Sequence, residues 1–179
     1  QTDERWFVKQ KAIFGESSYT LFDKLTLTAG ARKYDYDRFE YAARTGAFNR
    51  GRSLNEERTT EKDELYKLNA TYSPSENAMV YATYSEGFRL GQPITPPAQI
   101  YCDVNNDGLF DGTNLPMNQG SLKSDSLANY ELGAKFGLLD NRMTINAAVY
   151  NIDWKNIPVT IASPVACGDS LQVNAGKAR

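Results

Sequence analysis

The sequence predicts an all-β chain: an antiparallel up-and-down meander of about seven strands that forms part of a transmembrane β-barrel. Three observations carry this expectation. Apolar residues recur with a period of two rather than 3.6. Short turns alternate strictly with long polar loops, which in a meander sorts all tight turns to one end and all long loops to the other. The strands also run near or beyond the roughly nine to eleven residues that a tilted membrane strand needs. A Greek-key sandwich shows the same alternation but has no reason to sort its loops in this way.

Taken in order, the first hairpin joins Trp6–Tyr19 to Leu25–Tyr41 through a turn around Asp23 and Lys24. In its second strand Leu25, Leu27, Ala29 and Ala31 alternate with Thr26, Thr28, Gly30 and Arg32. The phase breaks at Lys33, either at a β-bulge or because the strand leaves the buried zone. Residues 42–62 then read as a long polar loop. The second hairpin joins Leu65–Tyr72 to Ala78–Phe88 through Ser73–Asn77, with Tyr66, Leu68, Ala70 and Tyr72 on one face. Residues 89–124 form the next long loop, where Pro93, Pro96 and Pro97 deny regular structure. The clearest strand follows: Tyr130, Leu132, Ala134, Phe136 and Leu138 alternate with Glu131, Gly133, Lys135 and Gly137. A turn built on Asp140 and Asn141 leads into Met143, Ile145, Ala147 and Val149 on one face. Residues 158–170 are a third loop, and a last partial strand runs from Leu171 to the end.

Composition narrows the classes. The chain has 179 residues and a formal net charge of -2, so nothing suggests a nucleic-acid partner. Mean hydropathy is -0.55, and without a long apolar run a transmembrane helix is excluded, whereas alternating barrel strands are not. The opening QTDERWFVKQ does not read as a signal peptide. Tyrosine leads the aromatics, as in interfacial belts and also in sandwiches. Histidine is absent, which removes His-based acid–base catalysis and His-rich zinc sites. No catalytic residue is assigned, and the chain is not expected to be an enzyme. An odd strand count with open apolar edges points to a piece of a larger barrel.

Four stretches resemble the barrel of TonB-dependent outer-membrane receptors: Ala12–Gly15 through Thr26–Arg32, Val80–Arg89, Asn129–Lys135 with Asn141–Tyr150, and Val173–Ala178. They follow the family's order across nearly the whole chain. The resemblance implies a barrel of about twenty-two strands plugged by an N-terminal domain. Residues 1–179 would be a middle-to-late third of that barrel, with the plug and the closing strands lying outside them. It further implies the outer membrane of a Gram-negative bacterium, with long loops extracellular and short turns periplasmic. The complete protein would import a scarce nutrient with energy relayed by TonB. A ferric siderophore is the commonest class, with a vitamin or oligosaccharide open. The implied partners are that small ligand, TonB through the plug, and outer-membrane lipid and lipopolysaccharide. The alternative from another class is a soluble extracellular β-module that binds calcium.

Calcium enters as a candidate cofactor through CDVNNDGLFD. Asp103, Asn105, Asp107 and Asp111 stand at positions 1, 3, 5 and 9 of a calcium-loop pattern, Gly108 is at 6, and Leu109 would offer its carbonyl at 7. Position 12 is Asn114 rather than glutamate, and a solvated Asp/Asn/Gly loop is the plainer reading. Cys102 and Cys167 fall in successive long loops at the same end, so a disulfide is expected, worth roughly 4 kcal/mol in the chain-entropy picture. Lys67, Asn69, Glu131 and Lys135, with Tyr81 and Tyr150, would face the lumen, and Trp154 would lie near the outer rim. Arg44, Arg50, Arg52 and Arg58 are interleaved with Glu56, Glu57 and Glu61, so a neutralised polar loop is favoured over an anion trap.

Overall fold

The computed structural model describes residues 2–46, 51–94, 102–116, 120–140, 142–162 and 170–179. Its strands are β1 (Thr2–Leu21), β2 (Leu25–Gly46), β3 (Gly51–Ser75), β4 (Ala78–Arg89), β5 (Gln92–Pro93), β6 (Ser121–Leu122), β7 (Asp125–Leu138), β8 (Met143–Ala162) and β9 (Ser170–Ala178). Seven of them form one antiparallel sheet in the order β1-β2-β3-β4-β7-β8-β9, and β5 pairs with β6 inside the β4–β7 connection. Neighbours in the large sheet are also neighbours in sequence apart from that insertion, so the meander is as expected.

The two faces of the sheet separate the residue types. Cross-strand register puts Leu27, Ala70, Ala82, Leu132 and Val149 in one row. Large apolar side chains on this face stay open: Leu132 is 60% exposed and Val149 68%. Such a face is stable only against a non-aqueous neighbour, which is the requirement of a membrane wall. The opposite face is polar and internally bonded. Ser18 pairs with Thr28 at 2.8 Å and Thr20 with Thr26 at 3.0 Å. Lys67 Nζ donates to Glu16 at 2.9 Å, Asn69 Nδ2 to Thr83 at 2.8 Å, and the Tyr81 hydroxyl to Glu131 at 2.6 Å. Gly133 is required here because the Tyr81 ring lies across it; a Cβ would come within 2.4 Å of Tyr81 Cζ. The tight turns use left-handed residues, Phe22 and Asp23 in one and Leu139 and Asp140 in another.

Three expectations need correction. Residues 42–62 are not a long loop: β2 and β3 stay paired from Leu25↔Tyr72 to Gly46↔Gly51, and only residues 47–50 lie outside the described pairing. Above the apolar belt the outer face carries charged side chains instead of apolar ones, so the alternation that marks a strand vanishes while the backbone ladder continues. Cross-strand ion pairs decorate this stretch: Lys33–Glu64 at 2.7 Å, Lys62–Asp35 at 2.9 Å and Arg58–Asp37 at 2.5 Å. Second, there is no bulge at Lys33; the register runs unbroken through Ile13↔Lys33 and Lys33↔Glu64. The phase break marks β2 leaving the belt. The irregularities lie instead at Tyr72–Ser75 and at Lys155–Pro158, where Asn156 is left-handed. Third, two prolines sit within strands: β8 continues through Pro158 to Ala162, which shortens the last loop, and Pro93, expected to deny regular structure, pairs with Ser121 in the β5–β6 ladder.

Candidate functional site at the outer mouth

Beyond the belt, the long β4–β7 connection folds back over the polar face of β2 and β3. Both of its stems converge on one side chain. Tyr36, fully buried, accepts the Gly91 N–H at its hydroxyl at 2.8 Å and shares a hydrogen bond with Ser124 Oγ at 3.1 Å. Gly91 N–H also reaches Ser124 Oγ at 3.2 Å, and the Glu61 carboxylate accepts the Ser124 N–H at 3.0 and 3.1 Å. A side chain at Gly91 is forbidden, because its Cβ would lie 2.3 Å from the Leu122 carbonyl oxygen. On the far side Asn174 of β9 clasps Lys123, accepting its N–H at 2.7 Å and donating to its carbonyl at 3.0 Å.

The rim is aromatic and charged. Tyr34 stacks on Phe88 at a centroid distance of 3.9 Å and lies 6.3 Å from Tyr36. Burial pushes the Tyr34 phenol up to about 12 and raises that of Tyr36. Outside the wall, the Arg58 guanidinium holds the Asp37 carboxyl below its usual range through hydrogen bonding. Asp125 is buried, pairs with the Arg89 guanidinium and accepts the Trp154 indole N–H at 3.0 Å. Arg89 in turn sits 5.4 Å above the Trp154 ring. Between the loop stems and strands β8 and β9 lies a cavity of about 480 Å³ lined by Arg38, Arg89, Lys123, Gln92, Thr160 and Gln172, among others.

The connection has a small core of its own. Cys102, Phe110, Leu171 and Val173 are buried together, with Leu115, Val159 and Ile161 packed against them. This anchors the loop to β8 and β9. The calcium-pattern residues sit in it as a self-bonded turn. Asp103 accepts the N–H groups of Asp107 at 2.9 Å and Gly108 at 3.0 Å. Asp111 accepts that of Val104 at 3.0 Å, and Asp107 that of Leu109 at 2.8 Å. Asn105 Nδ2 donates to Asp107 at 2.9 Å. Among the described residues no group of three or more acidic, histidine or cysteine side chains converges as a metal cage. No described cysteine is a free thiol, and Cys167 lies outside the described residues. Of the four predicted arginines, Arg58 pairs with Asp37; Arg50 and the side chains of Arg44 and Arg52 lie outside them.

The family model for the TonB dependent receptor-like β-barrel matches residues 1–179. The chain belongs to this family of TonB-dependent receptors. Its members are outer-membrane receptors rather than enzymes, which sets aside the soluble calcium module. The chain is 25% identical over 170 residues to the probable TonB-dependent receptor BfrD of Bordetella pertussis, covering 94% of this chain and 20% of that protein. It therefore spans about a fifth of that relative's length. Among solved structures, the ferric yersiniabactin uptake receptor FyuA of Yersinia pestis superposes with a TM-score of 0.70 at 16% identity, over 98% of this chain and 23% of that one. The siderophore receptor PiuA of Acinetobacter baumannii gives 0.68 at 18%, over 98% and 22%. At these identities the likeness establishes the receptor-barrel fold.

Within that fold the predicted lumen residues Lys67, Asn69, Tyr81 and Glu131 are where the alternation puts them, and they bond to the wall itself. Trp154 does reach the outer rim. Sequence reasoning missed Tyr36, Glu61, Asp125 and Asn174. Tyr34 and Tyr36 carry a faint signal, two aromatics on the polar phase just past the break at Lys33. The other three carry none, since each acts on a residue at least 29 positions away.

Proposed function

We propose that this chain forms part of the wall and outer mouth of a receptor that captures a ferric siderophore outside the cell for TonB-energised import. The observation that carries the reading is a cavity of mixed lining, with charged and amide side chains beside apolar ones, at the outer end of a receptor-barrel wall and roofed by a folded loop. The volume lies within the roughly 300–1,000 Å³ of small-ligand sites. Support comes from FyuA, a ferric yersiniabactin uptake receptor, and PiuA, a siderophore receptor. A plug domain and further strands closing the barrel complete the proposal, with TonB engaged through the plug and lipid or lipopolysaccharide against the apolar face. The test is growth on chelated iron. Cells lacking the gene should lose growth on at least one ferric siderophore under iron limitation, and regain it on complementation. Unchanged growth on a broad siderophore panel, with loss on a vitamin or oligosaccharide instead, overturns the substrate class.

A Cys102–Cys167 bridge is part of this proposal, supported by the burial of Cys102 beside β9; thiol labelling of unreduced protein should find neither cysteine. Calcium at Asp103, Asn105, Asp107, Asp111 and the Leu109 carbonyl rests on spacing alone. Equilibrium dialysis with calcium-45 tests it, and absence of binding at millimolar calcium rejects it.

A further inference from the structure

We infer that the outer face of β1–β3, just above the apolar belt, seats the phosphates of an outer-leaflet glycolipid, with Lys9 and Lys11 as its open contacts. The inference deepens the lipopolysaccharide contact of the reading above and rests on its placement of this wall in the outer membrane. The belt ends at one level on neighbouring strands. Register aligns Ala29, Leu68, Tyr84 and Tyr130 in one row and puts Tyr66 beside Ala31 just above it. The Tyr84 and Tyr130 rings lie 5.1 Å apart between centroids, and such an aromatic girdle marks a membrane–water boundary. The same outward phase then carries Ile13, Lys33 and Glu64 in one row, Lys11, Asp35 and Lys62 in the next, and Lys9, Asp37 and Thr60 above them. At about 3.3 Å per residue and a strand tilt of roughly 40°, the rows of Lys33 and Lys11 stand about 5 and 10 Å beyond Ala31, at headgroup depth.

Cations outnumber carboxylates there, although the chain as a whole carries a net charge of -2. Lys9, Lys11, Lys33, Arg58 and Lys62 stand among Asp35, Asp37 and Glu64. Each carboxylate already has its cation. Lys62 holds Asp35 at 2.9 Å, Lys33 holds Glu64 at 2.7 Å, and Arg58 takes both oxygens of Asp37 at 2.7 and 2.5 Å. Lys9 faces Asp37 and Lys11 faces Asp35 across the ladder, yet among the described residues neither makes a salt bridge or a hydrogen bond, and both are exposed. Two ammonium groups are thus left over at the level of the lipid phosphates, and lysine meets phosphate as a point charge. The surroundings select the kind of lipid. Below the cations, Ala29, Ala70 and Ala82 lie between Leu68, Tyr84 and Tyr130 and leave a lipid-side groove of about 690 Å³, which suits an acyl chain. Above them Phe7 pairs across the ladder with Phe39 and is 60% exposed, a flat apolar face for a sugar ring. Acyl chain, phosphate and sugar follow in that order in a phosphorylated glycolipid, whereas a glycerophospholipid would leave the Phe7–Phe39 face empty.

The test titrates the whole receptor in detergent micelles with bisphosphorylated lipid A and reads the lipid-bound fraction by native mass spectrometry. Dephosphorylated lipid A and phosphatidylglycerol serve as comparisons. Lys9→Gln and Lys11→Gln should each weaken lipid A binding about 5-fold, and together about 30-fold. Lys9→Arg with Lys11→Arg should retain it, and Lys135→Gln on the lumen face should leave it unchanged. Binding should also fall as salt rises from 50 to 500 mM. Wild-type affinity in the double Gln variant overturns the seat, as does an equal loss in Lys135→Gln or equal binding of dephosphorylated lipid A. Phosphatidylglycerol binding as tightly as lipid A overturns the glycolipid assignment, and no binding of lipid A overturns the whole inference. Growth on ferric siderophore should be the same in the double Gln variant and the wild type. Loss of the lipid seat therefore leaves the siderophore reading standing, and failure of the growth assay leaves the seat standing.

Discussion

Replacing Tyr36 with phenylalanine should release the stems of the outer loop while leaving the barrel intact. The hydroxyl holds Gly91 N–H at 2.8 Å and Ser124 Oγ at 3.1 Å. Each such bond is worth about 0.5–1.5 kcal/mol net. Gly91 keeps a second acceptor in Ser124 Oγ at 3.2 Å, and Glu61 still holds the Ser124 N–H, so the total loss should be about 1–2 kcal/mol. That corresponds to a roughly 5- to 30-fold increase in transient opening. Amide hydrogen exchange at Gly91 and Ser124 in the whole receptor reads this directly, because local opening sets the exchange rate there. Tyr34→Phe is the matched control. The Tyr34 hydroxyl is buried without a hydrogen-bond partner, so removing it should change stability by about 0.5 kcal/mol at most, or improve it. Wild-type exchange in Tyr36→Phe, or an equal acceleration in Tyr34→Phe, would refute the argument that the shared hydroxyl holds the loop.

Other consequences can be measured on the same protein. Gly133→Ala places a Cβ 2.4 Å from the Tyr81 ring. The ring must swing away from Glu131, costing about 1–3 kcal/mol in thermal unfolding, and Tyr81→Ala in the same chain should restore part of it. Leu132→Arg, on the apolar belt, should cost about 2–4 kcal/mol if the residue sits near the bilayer midplane, whereas Lys135→Gln on the polar face should stay within about 0.5 kcal/mol. The Tyr34 phenol is raised to about 12 by burial, so below its unfolded value of about 10 it is neutral in both states and its titration leaves stability unchanged. Stability then falls as pH climbs from about 10 towards 12, because the unfolded chain releases its proton first. Ultraviolet titration of wild type against Tyr34→Phe should show the missing tyrosinate appearing only in that upper range. Arg58→Ala removes the solvent-facing pair with Asp37 and should leave the thermal unfolding midpoint nearly unchanged.

Sequence alone was enough for the belt and for the family. A wall with lipid on one side and water on the other imposes a period of two that local reading detects, and Leu132 and Glu131 fell on the faces where the structure has them. The turn at Asp140 was legible for the same reason, since turn chemistry is local. Where the wall rises above the membrane, the outer face turns charged and the inner face is covered by distant loop residues, so that signal disappears. The extension of β2 and β3 to Gly46 and Gly51 was therefore read as loop, although the ladder continues there. The outer mouth was out of reach for a different reason. Tyr36, Gly91 and Ser124, or Lys123 and Asn174, meet across 33 to 88 positions of chain, and a hydrogen bond between distant residues leaves no local pattern. CDVNNDGLFD shows the contrast within ten residues. Its spacing fixed an Asp/Asn turn, but only the folded chain decided that its carboxylates point at backbone N–H groups and that Cys102 and Phe110 anchor it to β9.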